Sequence, residues 1–222
     1  MATITEPRVK SVEGERRFVL HEIGWEGYQA LLKMVGDRST RLTYDGGNVE
    51  LMSPLNIHER YRNRLGRVVE AVTEELDIPV IGGGSTTFNR EDLDKGLEPD
   101  ECYYLTNRER IGFKTHLDMT VDPPPDLAIE VEITRSALNR LGIYAKLGVA
   151  EVWRFDGETM SVLILGPDGS YSPSGSSAAF PYLPMDEVVR FLLQDEWNDS
   201  RWGRALRAWV REVIVPAREG LA

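Results

Sequence analysis

DLAIEVEIT, residues 126–134, alternates apolar and acidic side chains where a core strand would be apolar throughout. Strand side chains point to opposite faces with a period of two, so Leu127, Ile129, Val131 and Ile133 share one face. Asp126, Ala128, Glu130 and Glu132 share the other. Glu130 and Glu132 then stand about 6.6 Å apart at Cα, within reach of one cation. An antiparallel sheet with one face open to water produces the same pattern, and there both glutamates are solvated. The two readings make opposite demands on burial.

Outward from this strand, "DPPPD" (122–126) forbids a helix before it. After it, "SALNRLGIYAKLG" (136–148) places Leu138, Leu141, Tyr144, Ala145 and Leu147 on the inner side of a helix that Gly148 stops. "VAEVWRFDGETMSVLILG" (149–166) reads as a hairpin turning at Asp156–Gly157. Upstream, "GLEPDECYYLTN" (96–107) reads as a strand entered through Pro99, and "IPVIGGGSTTFNRED" (78–92) as one interrupted by three glycines. A long helix is expected from about Asn56 to Leu76, with Tyr61, Leu65, Val68, Val69, Val72 and Leu76 as its apolar stripe. Arg60, Arg64 and Arg67 lie on another side of it, as a solvated charged face or a phosphate-contacting one. "TRLTYDGGNVELMSP" is a hairpin around Asp-Gly-Gly-Asn, and "GWEGYQALLKMVGD" (24–37) a helix ended by Gly36. "MDEVVRFLLQ" and "WGRALRAWVREVI" are amphipathic, the latter with Trp202, Leu206, Trp209 and Val213 as a stripe. If exposed, such stripes would favour a homodimer.

The fold class that follows is mixed α/β (α+β), a central sheet flanked by helices. Residues 1–17 are polar and unpatterned and read as a flexible arm; residues 18–222 read as one domain. Of 222 residues, 41% are hydrophobic and 28% charged, as in soluble globular proteins. No apolar run reaches membrane-spanning length, the N-terminus shows no secretory h-region, and one cysteine, Cys102, suits a reducing compartment; the expectation is a cytoplasmic protein. A net charge of −10 argues against a general nucleic-acid coat protein, though not against an enzyme that meets DNA locally.

The acids carry the chemistry. Mg²⁺ or Mn²⁺ takes carboxylate oxygens and keeps waters for substrate phosphates. Asp100, just after Pro99, can add a third carboxylate to Glu130 and Glu132. His21, His58 and His116 lie far apart without metal-ligand spacing; His58 stands out because it opens the long helix. "IGGGST" lacks a phosphate-loop consensus and reads as a bend.

"RLTYDGGNVELMSPLNIHERYRNRL", "LEPDECYY" and "PPPDLAIEVEITRSALNRLGIYAKLGVAEVWRFDG" resemble the Uma-type restriction endonuclease family of the PD-(D/E)XK nuclease superfamily, over about residues 42–191. The resemblance implies a restriction-endonuclease-like core and Mg²⁺-dependent (or Mn²⁺-dependent) endonucleolytic cleavage of DNA. It assigns Asp100 to the aspartate of the "PD" element, Glu130 to the third-strand glutamate, and Glu132 to the place where the superfamily has lysine. His58 matches a histidine opening the long helix, and Arg140 stands where relatives carry a lysine on the following helix. The implied catalytic set is Asp100, Glu130, Glu132, Arg140 and His58, with the metal on Asp100, Glu130 and Glu132. A non-catalytic nuclease fold used for binding or assembly, and a metal-dependent hydrolase of another substrate, are the alternatives.

Overall fold

The structure, a computed structural model, describes residues 15–36 and 38–220. In chain order the first half comprises β1 (Arg16–Leu20), α1 (Trp25–Val35), β2 (Arg41–Asp45), β3 (Asn48–Ser53), α2 (Asn56–Glu75), β4 (Ile81–Gly82), β5 (Phe88–Arg90), β6 (Lys95–Leu97) and β7 (Glu101–Tyr104). The second comprises α3 (Arg108–Ile111), β8 (Leu127–Val131), α4 (Arg140–Leu147), β9 (Glu151–Phe155), β10 (Met160–Leu165), β11 (Tyr171–Ser174), α5 (Met185–Leu192), α6 (Asp199–Trp209) and α7 (Val215–Glu219).

Local signals held where local chemistry decides. Gly46 and Gly47 both take positive φ (51° and 85°), the backbone that a two-residue hairpin turn between β2 and β3 requires. Gly36 and Gly148 end α1 and α4.

The expected central sheet is in fact two. One has five strands in the order β1-β3-β2-β6-β5, the other six in the order β11-β10-β9-β8-β7-β4. The segments 78–92 and 96–107 each pass from one sheet to the other: β4 and β7 pair in the second sheet, β5 and β6 in the first. The glycines at 82–84 allow the first crossing, where Gly84 has φ +56°. Pro99 accounts for the second, because it has no N–H with which to continue a ladder. Asp100 therefore sits where the chain changes sheets.

Within the second sheet β8 and β9 are parallel and joined by α4; the other pairs are antiparallel. Every residue of β8 is buried, as a parallel strand covered on both faces should be. On one face Leu127, Ile129, Val131, Trp153 and Phe155 pack with Leu65, Val68, Val69 and Val72 of α2 and with α5 and α6. On the other, Ala128 and Val152 pack with Ile143, Tyr144 and Leu147 of α4.

The arginines of α2 serve neither purpose suggested by the sequence. Arg64, 2% exposed, donates to Leu192 O (3.0 Å), Gln194 O (3.1 Å) and Glu196 O. Arg60 also reaches Glu196 O (2.5 Å) and Arg67 reaches Asp199 O (2.9 Å). Arg64 and Arg67 both lie over the Trp202 ring, at 5.0 and 5.2 Å from its centroid. They donate to carbonyls at the end of α5, in the turn to α6 and at the first residue of α6, and the contact to Leu192 O is buried.

The terminal stripe runs through Trp202, Leu206, Val210 and Ile214, all buried in the main core, whereas Val213 is 46% exposed. A π turn at Val210–Ile214, just before Pro216, shifts the phase from the regular helix assumed above. The stripe is spent on the chain's own core, which removes the ground for reading a homodimer from it. Residues 1–14 of the expected arm lie outside the described residues. Glu15 to Arg17 do not behave as an arm: β1 pairs with β3 across Arg16–Leu20, and Arg17 is held between Glu15 (2.8 Å) and Glu50 (2.7 Å). No helix among the described residues is long and apolar enough to cross a membrane.

Candidate active site

Asp100 is 2% exposed and fixed by the backbone that follows it in space. Its Oδ2 accepts from Val131 N (2.7 Å), at the end of β8, and its own N–H donates to Ile129 O (3.1 Å). His58, in the first turn of α2 and wholly buried, brings Nε2 to 3.2 Å from Asp100 Oδ2 and 3.7 Å from Glu15 Oε1, though neither ring nitrogen is aligned for a hydrogen bond. Burial alone would lower the His58 pKa; Asp100, Glu59 and Glu15 more than reverse this and hold it up to about 9. Burial likewise opposes ionisation of Asp100, and His58, the Val131 amide and Arg41 (3.9 Å) overcome it, bringing its carboxyl below the usual range. The imidazolium and the carboxylate stabilise one another.

Glu130 is 7% exposed, so the solvated-face reading of β8 does not hold. It points to the α4 side. Arg140 Nη2 lies 2.5 Å from its Oε1, and the Tyr144 hydroxyl donates to the same oxygen. One helical turn separates Arg140 from Tyr144, so α4 presents both to one carboxylate. Burial pushes the Glu130 carboxyl up and nearby Asp100 adds to this, while Arg140 and Tyr144 pull the other way. Arg140 also donates from Nη2 to Glu98 O (2.7 Å) and from Nη1 to Thr43 Oγ1, while its Nε is buried without a partner.

Glu132 does not join Asp100 and Glu130. β8 ends at Val131, and Glu132 is half-buried beyond it, with Oε1 accepting from Ser136 N (3.0 Å) and Oε2 lying 3.7 Å from Arg154 Nη1. The structure thus brings together Asp100 and His58, and Glu130 and Arg140, as two buried ion pairs at the ends of neighbouring strands.

A cavity of about 1110 Å³ opens on this end of the sheet. Glu130, Glu132, Asp156 and Glu158 line it, against Arg135, Arg140 and Arg154. With four acids to three arginines, the wall carries a slight excess of negative charge, which a divalent cation would offset. Among the described residues no three His, Cys, Asp or Glu side chains are arranged to hold a metal ion. Asp100 and Glu130 supply two carboxylates, and Mg²⁺ characteristically takes one or two, completing its shell with water and substrate phosphate. On that chemistry the pair fits a hard divalent cation.

Glu15 was missed. It is 6% exposed, with Oε1 unpartnered beside His58. It stands in a polar, unpatterned segment, and its site neighbours are 43 and more residues away, so no periodicity marks it. Glu50, on the recognised strand β3, was missed because its partners are remote in sequence: 1% exposed, it accepts from Arg17, Ser136 Oγ (2.8 Å) and Ala137 N (2.6 Å), tying the first sheet to the loop after β8. Residues 91–101 hold six acids, of which Asp92 pairs with Arg90, Asp94 accepts from Tyr44 and Glu101 pairs with Arg62.

No curated protein matches this chain. The crystal structure of a "putative nuclease belonging to DUF820" from Anabaena variabilis ATCC 29413 superposes with a TM-score of 0.49 at 15% identity, over 68% of this chain and 91% of that one. A family described as "Uma2: Putative restriction endonuclease" matches residues 25–194, extending the likeness read from the motifs to include α1. Over this span, which carries His58, Asp100, Glu130, Glu132 and Arg140, the chain belongs to the Uma2 restriction endonuclease family.

Proposed function

We propose that this nuclease-family protein hydrolyses DNA phosphodiester bonds with Mg²⁺ or Mn²⁺ held by Asp100 and Glu130. The observation that carries the reading is a pair of buried carboxylates, Asp100 just before β7 and Glu130 on the adjacent β8, of which Glu130 lines the cavity. A divalent ion bound there lowers the pKa of a coordinated water and offsets charge on the phosphate.

The chain's own groups set up that chemistry. The Val131 amide and His58 hold Asp100 ionised and fixed. Arg140 and Tyr144 both take Glu130 Oε1, which leaves Oε2 without a protein donor among the described residues. Arg140 therefore acts as a positioning residue for Glu130. Glu132, on the cavity wall and oriented by the Ser136 amide, is the carboxylate next along the chain from Glu130 that would accept a proton from the attacking water.

Incubation of supercoiled plasmid and short duplexes with Mg²⁺ and Mn²⁺ tests the reading. Cleavage is expected for the wild type, lost with EDTA and lost in both Asp100→Asn and Glu130→Gln. Full activity in both variants overturns it. The capping of Glu130 by Arg140, with glutamate in the usual lysine position, favours a second reading: a nuclease fold kept for binding. Nucleic-acid binding without cleavage under any divalent ion would support that one instead.

A further inference from the structure

Resting on the nuclease reading, the geometry points to Arg154 as the residue that grips the DNA phosphate at this site, from the strand beside the one where a lysine is expected. Three arginines line the cavity. Arg140 is committed: its side chain is 14% exposed, and its terminal nitrogens are taken by Glu130, Glu98 O and Thr43. Arg135 is exposed, on the loop after β8, and has no ion-pair partner among the described residues to hold it in one place.

Arg154 differs from both. It is directly opposite Glu130 in the parallel β8–β9 register, so the two side chains leave the same face of the sheet from strands about 4.8 Å apart. Its other neighbour, Ser161 on β10, is small and also lines the cavity, which leaves the guanidinium room to move. The side chain is 38% exposed, and its one carboxylate contact among the described residues, Glu132 at 3.7 Å, is an ion pair without a hydrogen bond. Glu132 thus keeps Arg154 at the cavity wall without consuming its donors. A phosphate exchanges that loose contact for two parallel N–H···O bonds, which the planar, permanently charged guanidinium is shaped to make. The superfamily's acid–x–lysine arrangement is here split: the acid stands at Glu130 and the cation directly across the ladder at Arg154, with Glu132 in the lysine's place.

The test is fluorescence anisotropy with a short DNA duplex in a KCl series without divalent ions, alongside cleavage with Mg²⁺. Arg154→Gln is expected to weaken binding about tenfold and to reduce the salt slope by about one phosphate contact. Arg154→Lys should keep the slope while binding less tightly than wild type, since lysine is a point charge. It also carries the test if the glutamine variant melts early. Arg201→Gln, which alters an exposed arginine on α6 paired with Glu196, serves as the remote control and should match wild type. Wild-type affinity and salt slope in Arg154→Gln overturn the assignment; if wild type still cleaves and Asp100→Asn does not, the nuclease reading stands without it. Cleavage lost in Arg154→Gln with binding and salt slope unchanged overturns it too, since the residue then does not hold phosphate. A wild type that neither binds nor cleaves DNA brings down both.

Discussion

Replacing Arg140 by methionine strands a buried carboxylate. The arginine side chain is 14% exposed and the glutamate's 10%. The substitution removes the 2.5 Å contact to Glu130 and the donors to Glu98 O and Thr43 Oγ1, leaving Tyr144 as the partner of Glu130. Breaking a buried pair from one side costs about 3–5 kcal/mol, because the surviving charge keeps its desolvation penalty. At about 2–4 °C per kcal/mol for a chain of this size, Tm should fall by roughly 6–20 °C. Methionine is a good helix former and Asn139 still caps the helix, accepting from Gly142 N, so the loss belongs to the charge and its hydrogen bonds. Adding Glu130→Gln removes the stranded charge, and the double variant should recover most of the loss, with a coupling of about 2–3 kcal/mol. Urea unfolding followed by circular dichroism and tryptophan fluorescence measures all four corners of the cycle. An Arg140→Met variant within about 1 kcal/mol of wild type, or strictly additive effects, would refute the ion-pair reasoning.

Arg64→Met should cost about 2–4 kcal/mol in urea unfolding by leaving the Leu192 and Gln194 carbonyls without donors; a change under about 0.5 kcal/mol would mean that water replaces it freely. At Gly96 an added Cβ would collide with the Tyr28 hydroxyl and meet Asn89 Oδ1 at 2.7 Å. Gly96→Ala should therefore destabilise by about 1–3 kcal/mol, and a neutral or stabilising result in thermal melts would show that α1 lifts easily off the first sheet. Burial pushes the Cys102 thiol up to about 12, so at pH 8 about one molecule in 10⁴ carries the thiolate and disulfide reagents should label it only on unfolding. Its folded pKa is raised, so its stabilising contribution is complete below the unfolded thiol pKa near 8.5 and is lost as pH rises towards about 12. Cys102→Ala should flatten alkaline unfolding over that window, and an unchanged slope would count against it.

The parts of this fold legible in the sequence are those set within a few residues. Gly46–Gly47, Gly36 and Gly148 announce a turn and two helix ends through backbone conformations that side chains resist. The division into two sheets could not be read, because strands this short carry no mark of whether β5 pairs with β6 or with β4. The glycines at 82–84 and Pro99 gave the hints, as places where a ladder can break. Asp100 and Glu130 were legible as candidate ligands, since acids are costly in buried strands unless paired or bound to a cation. Glu132 parted from them because β8 stops at Val131, and a strand end is the least certain feature of an alternating pattern. The α2 arginines were illegible for a different reason. A charged helix face looks the same whether it meets water or the carbonyls of a loop 128 residues away.

Calorimetric titration of Mn²⁺ into wild type and Asp100→Asn, each alone and with a short DNA duplex, tests the site most directly. Binding to the wild type, tighter when DNA supplies phosphate oxygens and absent in Asp100→Asn, is the predicted result. Equal heats for the two proteins, or no binding by wild type even with duplex present, would contradict a divalent-cation site at Asp100 and Glu130.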